Sequence, residues 1–246
     1  MLFDRGIVAP GVDAGYVDND SAFGGKTFPG KIRQYNPGTQ PFLKVNRNGE
    51  RFANESCPYN DIVYAAAHQP GRVYAQICDA NILEDAKRFH TIGCSAQTRN
   101  GGEKYFQGKV DEAVAAGTLF VCDTIEELAE KLGIPADTFV ETIERYNSFV
   151  DAQKDDDFGK PLFGEKIDEA PFVATPRSPS LHHTMGGVKI DTNTHVISTE
   201  GNVIDGLYAA GEVTGGLHAG NRLGGNAMTD FLVFGRIAGE NAAKAE

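Results

Sequence analysis

Glycine is concentrated in the last quarter of the chain, where residues 186–239 hold twelve of the 29 glycines. Within this stretch the apolar run 206–210 is typical of a strand that is buried on both faces. A glycine-rich loop follows, and a helix is predicted from about residue 226 to 244. Its apolar face is expected to hold Ala227, Phe231, Phe234 and Ile237. A strand, loop and helix in this order present free N–H groups and the positive end of a helix dipole to a ligand. The sequence therefore predicts a ligand-binding segment here.

The overall composition argues against several classes of protein. Lys and Arg number 23 against 34 Asp and Glu, a net charge of −11, so a nucleic-acid partner is not expected. Hydrophobic residues make up 41% of the chain, which is enough for a folded core. There is neither a membrane-length apolar run nor a signal peptide, so the chain as given is expected in the cytoplasm. The compartment of any longer parent protein stays open.

The cysteines and the length narrow the possibilities further. The four cysteines are far apart and form no C-x-x-C pair, so we predict no metal site and expect reduced, buried thiols. At about 150 residues per domain, 246 residues correspond to about one and a half domains. That length is long for one domain and short for two.

Two hairpins are predicted from short strand patterns separated by turn residues. The segments 42–45 and 50–52 flank an Asn-Gly turn at residues 48 and 49. The segments 187–190 and 195–197 flank a second polar turn. Both hairpins predict small antiparallel sheets.

Helices are predicted in the middle of the chain. Asp61 is expected to cap a helix over 62–68, and residues 80–89 form a second helical stretch. Residues 124–127 make a capping box for a helix that Gly133 ends.

The helix that follows Gly133 has an apolar face at helical spacing. That face consists of Phe139, Ile143, Tyr146 and Val150. The acidic residues 155–157 after it are expected to form a solvated loop, because the ligand spacing of a calcium loop is absent.

Two motifs resemble one family of flavoproteins. Residues 181–239 contain L-H-H-T-M-G-G-V and G-L-Y-A-A-G-E-V-T-G-G-L-H-A-G-N-R-L-G-G-N-A. This stretch resembles the C-terminal FAD-binding segment of the soluble fumarate reductases and flavocytochromes, in the wider succinate dehydrogenase and fumarate reductase flavoprotein superfamily. The motif N-G-E-R-F-A-N-E at 48–55 resembles the start of the mobile cap domain of the same superfamily. Both motifs occur in the family's order.

The resemblance implies roles for individual residues. Arg222 resembles the arginine that grips a substrate carboxylate, and His182 the histidine that hydrogen-bonds the same group. Glu212 resembles the acid that holds hydroxyl groups of FAD. The other implied flavin contacts are Gly211, His183, Gly224, Gly225, Asn226 and Ala227. For His183 and His218, packing or a flavin contact explains the residue as well as catalysis does.

The cap motif departs from the fumarate reductase pattern at Tyr59. Fumarate reductases have at this position an arginine that protonates the substrate, and an acid and a second arginine upstream, where this chain has residues 35–38. Their upstream substrate histidine also has no counterpart. The form N-E-S-x-P-Y resembles instead the ketosteroid dehydrogenases of the superfamily, which implies that Tyr59 handles the proton. The alternative for Tyr59 is an aromatic side chain packed at the base of a helix.

The expected fold class is α+β, with a cap domain of helices and a small sheet, and a partial FAD-binding α/β domain. The N-terminal βαβ unit with G-x-G-x-x-G, which cradles the FAD pyrophosphate, is not found in this sequence. The expected domains are a connecting segment at 1–34, the cap (substrate-closing) domain at 35–165 and the C-terminal part of the FAD domain at 166–246. The missing half is expected on a longer or a separate polypeptide.

The function implied by the resemblance is FAD-dependent oxidation or reduction of a CH–CH bond. The expected substrate is a small unsaturated carboxylate, an enone or a similar molecule, and a haem or flavin domain is the expected kind of electron donor. The alternative is a fragment or binding module that has no activity without the N-terminal FAD-binding half. The isolated chain is expected to be inactive.

Overall fold

The structure is a computed structural model that describes residues 7–10, 42–57, 59–81, 111, 114–117, 119–177, 179–184, 186–218, 222 and 226–244. The chain divides into two compact units. The C-terminal unit comprises Met1–Val8 and Leu181–Glu246, and the central unit comprises Ala9–Ser180. Helices and small sheets are mixed along the chain, so the α+β class is confirmed at this level.

The described helices and strands have the following bounds. The strands are β1 (Ile7–Pro10), β2 (Lys44–Val45), β3 (Tyr74–Cys78), β4 (Phe120–Cys122), β5 (Phe172–Arg177), β6 (Pro179–His183), β7 (His195–Ile197) and β8 (Val203–Tyr208). The α-helices are α1 (Tyr59–Ala67), α2 (Ile125–Leu132), α3 (Ala136–Ala152) and α4 (Asn226–Ala242). Single 3₁₀ turns lie at Pro70–Arg72 and Gly211–Val213.

The central unit is built on a four-stranded antiparallel sheet with the order β2-β3-β5-β4. One face of the sheet is apolar, and its residues pack with the buried side chains of α2 and α3 in one core. The opposite face carries Lys44, Gln76 and Thr175, which are cross-strand neighbours and are all buried. Tyr74, on the same face as Gln76, packs against Ile62 of α1. Polar side chains are therefore enclosed between this sheet and the segment around α1.

The ends of α2 follow from its sequence. The hydroxyl oxygen of Thr124 accepts a hydrogen bond from the Glu127 N–H (3.1 Å), and Gly133 ends the helix in the left-handed conformation at φ +67°. These features confirm the predicted start and end of the helix.

The predicted apolar face of α3 is confirmed, since its residues are all buried. The prediction for α1 was wrong at its start. Asp61 lies in the first turn of a helix that begins at Tyr59, so Asp61 is not the cap. The helix predicted at 80–89 lies outside the described residues apart from its first two positions.

Both predicted hairpins are present. Val45 pairs with Arg51 around a turn in which Gly49 has φ +80°, a value that glycine adopts without strain. In the C-terminal unit Ile190 pairs with Val196. Strand β1 lies within the segment predicted to be a connection.

Strand β8 corrects the prediction of a strand buried on both faces at 206–210. The strand spans Val203–Tyr208, and Ile204 and Leu207 are exposed by 39% and 46%. Within the described part of the chain, β8 pairs with β7 alone, so its other edge is unpaired. Phe231, on the predicted apolar face of α4, is 46% exposed.

Two general expectations can be compared with the described residues. Cys57, Cys78 and Cys122 form no disulfide, and Cys78 and Cys122 are buried as predicted, whereas Cys57 is half-buried. Cys94 lies outside the described residues. Among the helices that the structure describes, none has the length and apolarity needed to cross a membrane.

Candidate functional site

Two glycine-containing segments of the C-terminal unit lie side by side. The N–H of Val188 donates to the carbonyl oxygen of Val213 (2.9 Å), and the N–H of Gly215 donates to the carbonyl oxygen of Val188 (3.0 Å). A Cβ atom at Gly187 would lie 2.2 Å from the Val213 oxygen, and one at Gly215 would lie 2.5 Å from the Gly187 nitrogen. Side chains are therefore excluded at both positions, and the backbones of the motifs L-H-H-T-M-G-G-V and G-E-V-T-G-G make direct contact.

Replacing Gly187 by Ala is expected to destabilise the chain by about 1–3 kcal/mol, because the new methyl group meets backbone atoms. Gly235→Ala is the matched control. Gly235 is inside α4, and a Cβ there meets no described atom within 4 Å outside its own helix. That control should be neutral or gain up to about 1 kcal/mol, because alanine favours helices over glycine. Urea denaturation followed by circular dichroism measures both variants, and an unchanged midpoint for Gly187→Ala would contradict the close approach.

Glu212 lies in the 3₁₀ turn between β8 and the glycine-rich loop. Its Oε1 atom accepts a hydrogen bond from the backbone N–H of Thr184 (3.1 Å), the residue that follows β6. The side chain is exposed, and among the described residues its Oε2 atom accepts no hydrogen bond. Glu212 is thus held in place at one oxygen and offers the other to a hydroxyl donor.

His218 pairs with an acid that sequence reasoning missed. Its Nε2 atom lies 3.1 Å from Oδ2 of Asp230, which is on α4 and is 8% exposed. The other oxygen of Asp230, Oδ1, is buried and has no hydrogen-bond partner within the described part of the chain. The pair ties the glycine-rich loop to α4. The only sequence signal for Asp230 was a carboxylate among the apolar residues of a predicted helix.

The remaining predicted site residues are distributed over both units. Tyr59 is the first residue of α1 in the central unit, and His182 and His183 end β6. The side chains of these three residues lie outside the described part. Arg222 is half-buried, and Asn226 and Ala227 begin α4. Gly211 is buried at the start of its 3₁₀ turn, with φ +75°. Gly224 and Gly225 lie outside the described residues.

A buried charge cluster in the central unit was also missed. It consists of Arg51, Glu55, Asp155 and Lys160 and is called the Arg51 cluster below. The guanidinium of Arg51 donates to both oxygens of Glu55 (2.9 and 2.8 Å) and to both oxygens of Asp155 (3.2 and 2.8 Å). The Lys160 amine lies 3.5 Å from Glu55 and donates to the Tyr146 hydroxyl (3.0 Å).

Asp155 therefore corrects the prediction of a solvated loop at 155–157, because its side chain is fully buried. Burial by itself raises the pKa of Asp155, but the bonds from Arg51 and from backbone N–H groups outweigh it and hold the pKa at about 2. Burial also opposes ionisation of Glu55, yet Lys160 and Arg51 keep its pKa below the usual range. Both carboxylates are charged at neutral pH.

For Lys160 of this cluster and for Lys44, burial outweighs the neighbouring charges. Burial lowers the pKa of Lys160 to about 8 and that of Lys44, on the polar face of the sheet, to about 7. Glu55 partly offsets the effect at both amines. The cationic charge around Glu55 therefore decreases as the pH rises above neutrality.

Comparison with known proteins identifies the family. The profile of the FAD binding domain family matches residues 35–228, which include both motifs and all the candidate site residues. The chain belongs to this family of flavoproteins, and its predicted membership of the fumarate reductase superfamily is confirmed. FAD is the cofactor of the family.

One curated relative and two solved structures show how the chain relates to longer proteins. The chain is 47% identical over 202 residues to NADH:acrylate oxidoreductase of Vibrio harveyi, a match that covers 82% of this chain and 18% of the relative. It is similar to the open conformation of a flavocytochrome c3 fumarate reductase, with a TM-score of 0.63, 36% identity and coverage of 87% and 33%. A 3-ketosteroid delta1-dehydrogenase from Sterolibacterium denitrificans shares the fold alone, with a TM-score of 0.65, 18% identity and coverage of 99% and 44%. The chain spans less than half the length of each.

The residues of the C-terminal unit fit FAD. Glu212 has a carboxylate oxygen available for hydroxyl groups, and the contact of the Gly187 and Gly215 backbones brings the two motifs together beside it. The N-terminus of α4, a helix of 17 residues, follows the glycine-rich loop and favours a negatively charged ligand edge. These features support the FAD site predicted from the sequence.

Proposed function

We propose that this chain is the C-terminal portion of an FAD-dependent oxidoreductase that adds hydrogen to, or removes it from, a carbon–carbon bond next to a carboxylate or carbonyl group. The observation that carries the proposal is the contact between the two glycine-containing motifs, with Glu212 held by Thr184 beside them. The family match supports the cofactor. The names of the relatives, which include acrylate and fumarate reductases, support the class of substrate.

Each candidate residue has a chemical task in this proposal. Arg222 binds the substrate carboxylate through a bidentate pair of hydrogen bonds, and His182 donates a further hydrogen bond to it. Tyr59 transfers the proton to or from the substrate carbon, a role that a phenol can fill with an enolate as its partner. When bound, FAD supplies the two-electron redox chemistry.

A second set of candidate residues holds FAD in the proposal. Glu212 accepts hydrogen bonds from its hydroxyl groups, and Gly211 and His183 contact it. The start of α4, with Gly224, Gly225, Asn226 and Ala227, stabilises negative charge on its ring. These assignments rest on the resemblance of the motifs and on the positions of the described residues among them.

The two units correspond in this proposal to two domains of the parent flavoprotein. In this proposal the central unit is the cap domain. Strand β5, which follows the predicted end of the cap at residue 165, lies in the sheet of this unit. The C-terminal unit is the final segment of the FAD domain, whose N-terminal βαβ half is a partner in the same or another polypeptide. The apolar side chains that this half would cover are exposed on β8 and α4, namely Val203, Ile204, Leu207, Phe231 and Leu232. The chain without that half is expected to have no activity.

The test is turnover of the flavoprotein assembled with its N-terminal half. Reduced methyl viologen serves as the electron donor, and acrylate, fumarate and a cyclic enone serve as substrates. We expect the protein to oxidise the dye with at least one of these substrates. Replacing Arg222 by Leu should lower turnover of acrylate and fumarate more than turnover of the enone. A yellow, FAD-loaded protein that reduces none of the three would contradict the proposal. The same assay, with a reduced haem or flavin domain in place of the dye, tests such a domain as the natural electron donor.

A further inference from the structure

The turn that precedes α1 is held by two hydrogen bonds between neighbouring residues. The side-chain oxygen of Asn54 accepts from the Ser56 N–H (2.8 Å), and the backbone oxygen of Asn54 accepts from the Cys57 N–H (3.1 Å). Helix α1 then begins at Tyr59. Glu55, the second residue of this turn, belongs to the Arg51 cluster, and Tyr59 follows the last residue of the turn, Cys57, by two positions.

The Arg51 cluster connects this turn to a loop about a hundred positions later in the chain. The carboxylate of Asp155 accepts the backbone N–H groups of Asp157, Phe158 and Lys160 (3.0, 3.3 and 3.2 Å) as well as the Arg51 guanidinium. Asp155 thus organises its own loop and holds Arg51 at the same time. The Arg51 guanidinium carbon also lies 5.2–5.7 Å from the ring centres of three aromatic residues, Tyr146, Phe149 and Phe158. Through these contacts Glu55 is attached to α3.

A second contact joins the turn to the same loop. The hydroxyl of Ser56 donates to the carbonyl oxygen of Leu162 (3.5 Å). The body of α1, in contrast, is held by a small apolar cluster in which Ile62 and Ala66 pack on Tyr74. The turn is thus joined to the loop by polar contacts, while Cys57 of the turn packs with the apolar cluster that holds α1.

The composition of the cluster is informative because buried ion clusters are a poor source of net stability compared with apolar packing. Arg51 and Lys160 balance the charges of Glu55 and Asp155, and every side chain in the cluster is at most 5% exposed. A guanidinium that binds two carboxylates through its planar fork defines distances and angles more closely than apolar contacts do. This arrangement suits a cluster that fixes the positions of the segments it joins.

We propose that the Arg51 cluster positions Tyr59 for proton transfer, with Asp155 and Lys160 acting through Arg51 and Glu55 on the turn from which α1 begins. The inference rests on the proposed function for the role of Tyr59. Asp155, Lys160, Arg51 and Glu55 are positioning residues, since they act on the substrate only through Tyr59. Displacement of a reacting group by about 1 Å is sufficient to slow a reaction by about 100-fold.

The kinetic test compares Asp155→Asn with Asp157→Asn in the assembled flavoprotein. Asp157 is two residues away and pairs with the exposed Arg145, so its replacement is the matched control. We expect Asp155→Asn to lower kcat by about 10–100-fold with KM and the flavin absorbance unchanged, and Asp157→Asn to leave both kinetic constants as they are. If Asp155→Asn does not fold, Lys160→Met takes its place, because it leaves the Arg51 fork intact and removes one partner of Glu55. An unchanged kcat in the folded variant would overturn the inference, as would an equal rise in KM.

A second measurement is independent of turnover. Amide hydrogen exchange is measured at residues 63–65 of α1, whose N–H groups bond the carbonyl groups of the first turn, in the full 246-residue chain. Asp155→Asn should speed exchange there by about 10-fold or more relative to Asp157→Asn, while exchange in α2 stays unchanged. Equal exchange in the two variants would overturn the positioning role. If exchange responds as expected but the assembled protein turns over no alkene, the proposed function fails and the link between Asp155 and the start of α1 stands.

Discussion

Replacing Tyr59 by Phe is expected to abolish turnover of the assembled flavoprotein, with a loss of about 1,000-fold or more in kcat, while FAD remains bound. Phenylalanine keeps the ring but lacks the hydroxyl that we propose gives or takes the proton, and general acid or base catalysis typically contributes about 100- to 10,000-fold. The measurement is steady-state oxidation of reduced viologen, with the flavin spectrum recorded on the same sample.

Tyr64 provides the control for this variant. It lies on the same helix, five residues after Tyr59, and is 41% exposed. Tyr64→Phe should retain the activity of the parent protein, because an exposed phenol on α1 has no task in the proposed reaction. Activity retained by Tyr59→Phe would show that Tyr59 is a packed aromatic residue, the alternative that the sequence left open.

Replacing Arg51 by Leu is expected to lower the free energy of unfolding by about 3–5 kcal/mol. The change leaves the buried carboxylates of Glu55 and Asp155 without the cation that neutralises them, and breaking one side of a buried ion pair has effects of that size. Urea denaturation of the 246-residue chain measures the loss; tyrosine fluorescence or circular dichroism is the signal, since the chain has no Trp.

Arg145→Leu is the control, because Arg145 also binds an aspartate through its guanidinium but its side chain is 60% exposed. Exposed pairs contribute little, so this variant should unfold close to the parent midpoint. Acid should also weaken the cluster, because it protonates Asp155. Since the pKa of Asp155 is lowered to about 2, its contribution to stability is complete above the ordinary value of 3.8 and is lost as the pH falls towards 2. Equal midpoints for the two arginine variants would contradict the importance of the cluster.

Local patterns predicted the local structure well. The cap at Thr124, the end at Gly133 and the apolar face of α3 follow from neighbouring residues, and the structure has all of them. The Asn-Gly turn is found where the sequence placed it. The family and its cofactor were also accessible from sequence, because the glycine-containing motifs are long and specific.

Features that depend on distant residues were not accessible. Arg51 and Asp155 are 104 positions apart, and nothing in the acidic run 155–157 distinguishes the buried carboxylate from its exposed neighbours. The pairing of His218 with Asp230 likewise depends on how the loop folds back on α4. The burial of β8 was predicted wrongly, because an apolar run shows that a strand is suited to burial but not which residues cover it. The roles of Tyr59, Arg222 and His182 stay predictions.

The most direct test of the account is a titration of FAD into the chain alone and into the chain assembled with its N-terminal half. We expect the assembly to bind about one FAD and the chain alone to bind it at least about 100-fold more weakly, a difference of roughly 3 kcal/mol or more, because the other half supplies the pyrophosphate contacts. Glu212→Gln should weaken binding by the assembly. Equally tight binding by the chain alone, or no binding by the assembly, would contradict the assignment of this chain as the C-terminal portion of a flavoprotein.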